Sequence, residues 1–107
     1  MPRAIKEDEK SLDVRLRKGL KKIGCWSLKL PTDFVTGLPD RLILIKGGHV
    51  IFAEMKGKGL KPEPIQRSIH ERLRRLGFKV VVIHTQKTLD ETLTEAERLT
   101  RLSESRV

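Results

Sequence analysis

The sequence predicts an α/β fold of one domain, a four-stranded mixed sheet flanked by helices in the order αβββαβα. Three observations predict it. Leu12, Leu16, Leu20 and Ile23 recur at helical spacings of four, four and three before Gly24. Two apolar runs around Leu42-Ile43-Leu44-Ile45 and His49–Lys56 are joined by Gly47-Gly48, a hairpin pattern. An amphipathic segment then leads into Phe78–His84 (FKVVVIH), a β-branched run that reads as a buried strand. A chain of 107 residues holds one such domain, residues 1–107, with a core over about 5–102.

The elements follow in order. The first helix is expected from Ile5 to Ile23. Trp26-Ser27-Leu28-Lys29-Leu30 alternates as a strand with one buried face. Residues 31–39, bounded by prolines, form a loop. The hairpin strands Arg41–Lys46 and His49–Lys56 are apolar on both sides of Leu42–Ile45, which makes them central and covered twice. The glycine-rich basic loop GKGLKPEP ends at Pro64, a favourable first helical residue. The second helix turns Ile65, Ile69, Leu73 and Leu76 inward and closes at Gly77. Its position between the third and fourth strands makes it a parallel crossover. Thr88-Leu89-Asp90-Glu91 has capping-box spacing and opens a last helix with Leu89, Leu93 and Ala96 on one face, while residues 103–107 fray.

Charge narrows the function. Lys and Arg number 23 against 14 Asp and Glu, a net charge of +9. Residues 1–79 hold 19 of these basic and 9 of the acidic groups, and residues 80–107 hold the other 4 and 5. A basic body with a nearly neutral tail suits a polyanion on one side, although a solubilising surface gives the same count. One Trp, three Phe and no Tyr make few platforms for stacking bases. A nucleic-acid partner would be held by its phosphates, which disfavours an RNA-binding module. The single Cys25 excludes an internal disulfide and fits a reducing compartment. With no membrane-spanning run, a cytoplasmic protein is expected, without a small-molecule cofactor.

The chemistry gathers at the hairpin's open end. Glu54 and Lys56 lie two apart on a strand and share a face, while Asp40 opens the preceding strand. Two carboxylates held close repel unless a hard divalent cation lies between them, which points to a magnesium site. Taken alone, Glu54 is equally a surface salt bridge to Lys56 or Arg41. Glu9 falls on the inward stripe of the first helix and reads either as a partner of that site or as a helix-dipole acid. Gln66, in the first turn of the second helix, reads as an amide orienting a water or phosphate, or as a surface residue. The register supplies a condition. A strict two-residue Gly47-Gly48 turn pairs Arg41 with Glu54 and aims Asp40 at the wrong face. The site therefore requires a longer, bulged turn or a distorted backbone at Pro39-Asp40.

Gly37-Leu38-Pro39-Asp40-Arg41, Glu54-Met55-Lys56 and Pro64-Ile65-Gln66 together resemble the VRR-NUC domain (virus-type replication-repair nuclease), a branch of the PD-(D/E)XK nuclease superfamily. The likeness spans residues 9–84. It implies a restriction-endonuclease-like fold and a metal-dependent endodeoxyribonuclease. Asp40, Glu54 and the Met55 carbonyl would hold Mg2+, with Mn2+ able to substitute. Lys56 would position the attacking water, Gln66 would assist, and Glu9 would be the helix-one acid. Branched DNA such as Holliday junctions is the implied substrate, with duplex DNA as the wider partner class, a phage or prophage the implied source, and DNA repair the implied setting. A two-fold homodimer is expected, because one site makes one incision and a four-way junction needs two. Lys58, Lys61, Arg67, His70 and Arg74 are the expected DNA contacts. The competing readings are a flap or restriction-type nuclease of the same superfamily and a basic DNA-binding protein that never cuts.

Overall fold

The computed structural model describes residues 5–31, 33 and 35–105. The elements are α1 (Glu9–Lys22), β1 (Trp26–Lys29), β2 (Arg41–Ile45), β3 (His49–Met55), α2 (Pro64–Arg75), β4 (Lys79–Ile83) and α3 (Gln86–Glu104). The sheet runs β1-β2-β3-β4, antiparallel across the first two pairs and parallel between β3 and β4. The expected αβββαβα order and mixed sheet are therefore present.

Alternation along the strands divides the side chains between two layers. Ile43, Ile45, Ile51, Ala53, Met55 and Ile83 meet Leu12, Leu16 and Leu20 of α1 and Leu89 and Ala96 of α3 in the main core. The other sheet face carries Leu42, Leu44, Phe52 and Glu54, and α2 meets it at the β3–β4 end. Because α2 covers only that end, Leu42 and Leu44 stay half-buried and Trp26 is 65% exposed. The expectations of a hairpin covered fully on both sides and of a buried face on β1 are corrected accordingly.

Local hydrogen bonding moves three element boundaries. Helix α1 begins at Glu9 rather than Ile5 because Asp8 caps it, accepting from the Ser11 N–H at 3.2 Å. Residues before the cap serve elsewhere: the Lys58 N–H donates to the Glu7 carbonyl at 2.9 Å, and the Gln86 N–H donates to the Glu7 carboxylate at 2.7 Å. Helix α3 starts three residues earlier than the Thr88 signal, since Thr85 is its cap and Thr88 the reciprocal partner. It also persists through Glu104, anchored by the Ser103 hydroxyl donating to the Lys46 carbonyl at 2.7 Å. The expected fraying at 103 is absent through residue 105, and residues 106 and 107 lie outside those described. Among the described residues no helix is long and apolar enough to cross a membrane.

Helix α2 is rotated from its expected orientation. Ile65 and Leu76 are 50% and 69% exposed, whereas His70 is buried and Gln66, Ile69 and Leu73 are half-buried. The polar residues Gln66 and His70 turn inward because a buried carboxylate lies beneath them.

Candidate active site

The hairpin loop decides where Asp40 stands. Ile45 pairs with His49, so Lys46, Gly47 and Gly48 form a three-residue loop, and the register continues to Arg41 opposite Ala53. One residue earlier, Asp40 falls opposite Glu54. Of the two alternatives the register left open, the longer turn is the one observed. Arg41, on the opposite face with Ala53, reaches α1 and donates to Asp13 at 2.9 Å, which removes it as a salt-bridge partner of Glu54.

Backbone contacts hold Asp40 in place. Its carbonyl accepts from the Leu30 N–H at 2.8 Å, and its Oδ2 accepts from the Met55 N–H at 2.7 Å. The preceding Pro39 is buried. The Asp40 carboxylate is thereby clamped across the end of β3, beside Glu54.

Glu54 is 1% exposed. Its carboxyl is pushed up to about 8, first by burial, then by the hydrogen bond and charge of Asp40, with Glu9 adding to the rise and Lys56 opposing it. From α2, the Gln66 amide donates to Oε2 at 3.2 Å and the His70 ring nitrogen Nε2 lies 3.2 Å from Oε1. No buried side-chain polar atom among the described residues lacks a partner, so this acid is enclosed rather than orphaned.

The remaining expected residues fall at different distances from this centre. Lys56 is half-buried just past β3, where its N–H donates to the Ile83 carbonyl at 2.8 Å. Glu9 is an exposed first helical residue that lines an open cavity of about 390 Å³ with Lys10, Asp13, Lys29, Asp40, Arg41 and Met55. Among the described residues no three His, Cys, Asp or Glu side chains converge as a metal cage, so Glu9 stands on the rim. Asp40 and Glu54 supply the two neighbouring carboxylates of the site. Lys58, Lys61, Arg67 and Arg74 are exposed, with Lys58 3.4 Å from Glu7 and Arg74 donating to the Val80 carbonyl at 3.0 Å. His70, expected to contact DNA, is 2% exposed and turned onto Glu54, because burial and that hydrogen bond outweigh any surface role. Its spacing of four from Gln66 was the available signal, since both must share a helix face.

No family model matches the chain. Over 84 residues it is 39% identical to "Putative nuclease p44" of Acyrthosiphon pisum secondary endosymbiont phage 1, covering 78% of this chain and 88% of that relative. A solved structure described as a VRR_NUC domain superposes with a TM-score of 0.74 at 29% identity, over 80% of this chain and 94% of the other. The chain belongs to the VRR-NUC family. It is a nuclease with the restriction-endonuclease-like arrangement of a mixed sheet and flanking helices. In this VRR-NUC chain the PD, ExK and Gln segments, far apart in sequence, meet at one end of β3.

Proposed function

We propose that this VRR-NUC nuclease is a magnesium-dependent endonuclease of PD-(D/E)XK type, able to use manganese, that cuts branched DNA such as Holliday junctions. The observation that carries the reading is the pairing of Asp40 with Glu54, whose carboxyl is raised to about 8. Two acids forced together at the end of β3, with Asp40 lining the open cavity and Glu54 enclosed behind it, suit a hard divalent cation, which neutralises their repulsion. The donor chemistry fits. Asp40, Glu54 and the Met55 carbonyl would hold the ion, and Glu9 would act from the rim.

When bound, magnesium supplies charge neutralisation at the scissile phosphate and acidifies water. Asp40 and Glu54 hold and orient that centre. Lys56 positions the attacking water, and its ammonium stabilises negative charge building on the phosphoryl oxygens. Gln66 keeps Glu54 in place. Lys58, Lys61, Arg67 and Arg74 hold the flanking DNA backbone, which makes binding salt-sensitive and indifferent to base sequence. The products carry 5′-phosphate and 3′-hydroxyl ends. The working form is a homodimer in the host cytoplasm of a phage or prophage, serving DNA repair.

The test is incubation with labelled four-way junction, flap and linear duplex, with and without Mg2+. Metal-dependent symmetric incision of the junction is expected. Glu54→Ala and Lys56→Ala should lower the rate by orders of magnitude while leaving DNA binding largely intact. Binding without any metal-dependent product would overturn the reading, as would full-speed cutting by both variants. Preferential cutting of flaps would transfer it to a flap nuclease.

A further inference from the structure

The Glu54 carboxylate is gripped from one side by a single helix. Gln66 and His70 lie four apart on α2 and project together onto β3. The Gln66 amide has only one orientation available. Its Oε1 accepts from the Glu63 N–H at 2.8 Å in the capping box that opens α2, so its NH2 end must face and donate to Glu54 Oε2. Oε1, the other carboxylate oxygen, is left to His70 Nε2 at 3.2 Å. The imidazole is 2% exposed and Glu54 1%, so water replaces neither contact.

Its neighbours on the same side of the helix, Ile69 and Leu73, are apolar and half-buried. The ring's polar edge is directed instead at the carboxylate opposite Asp40. A glutamate has three rotatable side-chain bonds. Polar contacts on both oxygens restrain its plane beside Asp40.

We infer that His70 is a positioning residue for the nuclease reaction, donating from Nε2 to Glu54 Oε1 so that Glu54 and Asp40 present a preset pair of oxygen donors to a divalent cation. The inference rests on the metal reading above and adds to it a residue that never touches substrate. Ligand-orienting partners of this kind typically contribute ten- to a hundredfold in metal affinity or activity.

Calorimetric titration of the whole protein with Mg2+ and Mn2+ tests it, on the wild type, His70→Leu and His70→Gln. His70→Leu keeps the apolar volume without the donor and should bind both cations about ten- to a hundredfold more weakly. On a four-way junction it should lower kcat with KM for DNA unchanged. His70→Gln restores an amide donor on a similar reach and should recover most of both losses. Circular dichroism and thermal unfolding check that the variants fold. If neither folds, 15N spectra of the wild-type ring decide: a proton on Nε2 and a resonance displaced by Mg2+ are expected. An Nε2 without a proton, or a ring unmoved by bound cation, would overturn the inference. Native affinity and rate in His70→Leu would overturn it while leaving the metal reading standing. A wild-type protein that takes up neither cation would overturn the metal reading, and this inference with it.

Discussion

Two glutamates of this chain titrate in opposite directions for reasons their positions make plain. Glu54 is buried beside another acid and rises to about 8. Glu95 on α3 sits between Arg98 and Lys79 and falls to about 2, the Arg98 hydrogen bond contributing most and Lys79 next. Its Oε2 lies 2.6 Å from Lys79 Nζ, a contact that ties β4 to α3. The unfolded value is near 4.5, so the Glu95 contribution is fully present above pH 4.5 and is lost as pH falls through about 2. Both cations are about half exposed, and screening reduces the contribution to roughly 1 kcal/mol. Thermal unfolding of Glu95→Gln should therefore show a lower Tm at pH 7, with the gap to wild type closing as the solution approaches pH 2. A gap that stays constant across that range would show that the ion pairs carry none of the loss.

At the scale of elements, the hairpin loop sets the register that brings Asp40 opposite Glu54. Gly47 and Gly48 both have left-handed backbones, φ 92° and 81°. A Cβ at Gly48 meets open space, whereas one at Gly47 would sit 1.9 Å from Ser103 Oγ and 2.8 Å from Ser103 Cβ. Gly48→Ala should cost only the backbone strain, about 1–2 kcal/mol. Gly47→Ala adds displacement of α3's last turn and loss of the hydrogen bond from Ser103 to the Lys46 carbonyl, about 1 kcal/mol more. Urea unfolding of the two variants measures the difference, and equal midpoints would refute the docking of α3 on the loop. Helix α2 carries the corresponding lesson for orientation. Its Ile65, Ile69, Leu73 and Leu76 stripe implied one inward face, yet the acid on β3 draws Gln66 and His70 inward instead.

The whole molecule leaves one sheet face incompletely covered. Trp26 on the edge strand β1, together with half-buried Leu28, Leu42, Leu44 and Phe52, presents apolar surface beyond the reach of α2. That surface and the β1 edge, which no strand pairs among the described residues, support the proposed homodimer, since a second copy would hide both. Sedimentation at micromolar concentration should give twice the 12.3 kDa of one chain. Trp26 is the only tryptophan, and its emission should move to the blue as the dimer forms. Trp26→Lys should shift the equilibrium toward monomer. A single-chain mass in a preparation that still cuts four-way junctions would overturn the dimer.

Much was legible from sequence because it is encoded locally. The spacing of Leu12, Leu16 and Leu20, the glycines after each segment and the strand runs depend on neighbours within a few residues, and the order αβββαβα followed from them. The segments that carry Asp40, Glu54 and Gln66 could be picked out by their spaced pattern, and the fold brings them to one end of β3. Even the need for a longer hairpin loop followed from parity, since a one-residue slip reverses every side chain on a strand. The start of α1 was not legible, because Glu7 is held by Lys58 and Gln86, distant in the chain. The burial of His70 against Glu54 was likewise not fixed by the sequence. A histidine on an amphipathic helix belongs to solvent or core according to what packs beneath it, and only the folded chain brings Glu54 there. Local periodicity settles which elements form, whereas burial of a charged group, a cost borne only after packing, settles which way they face.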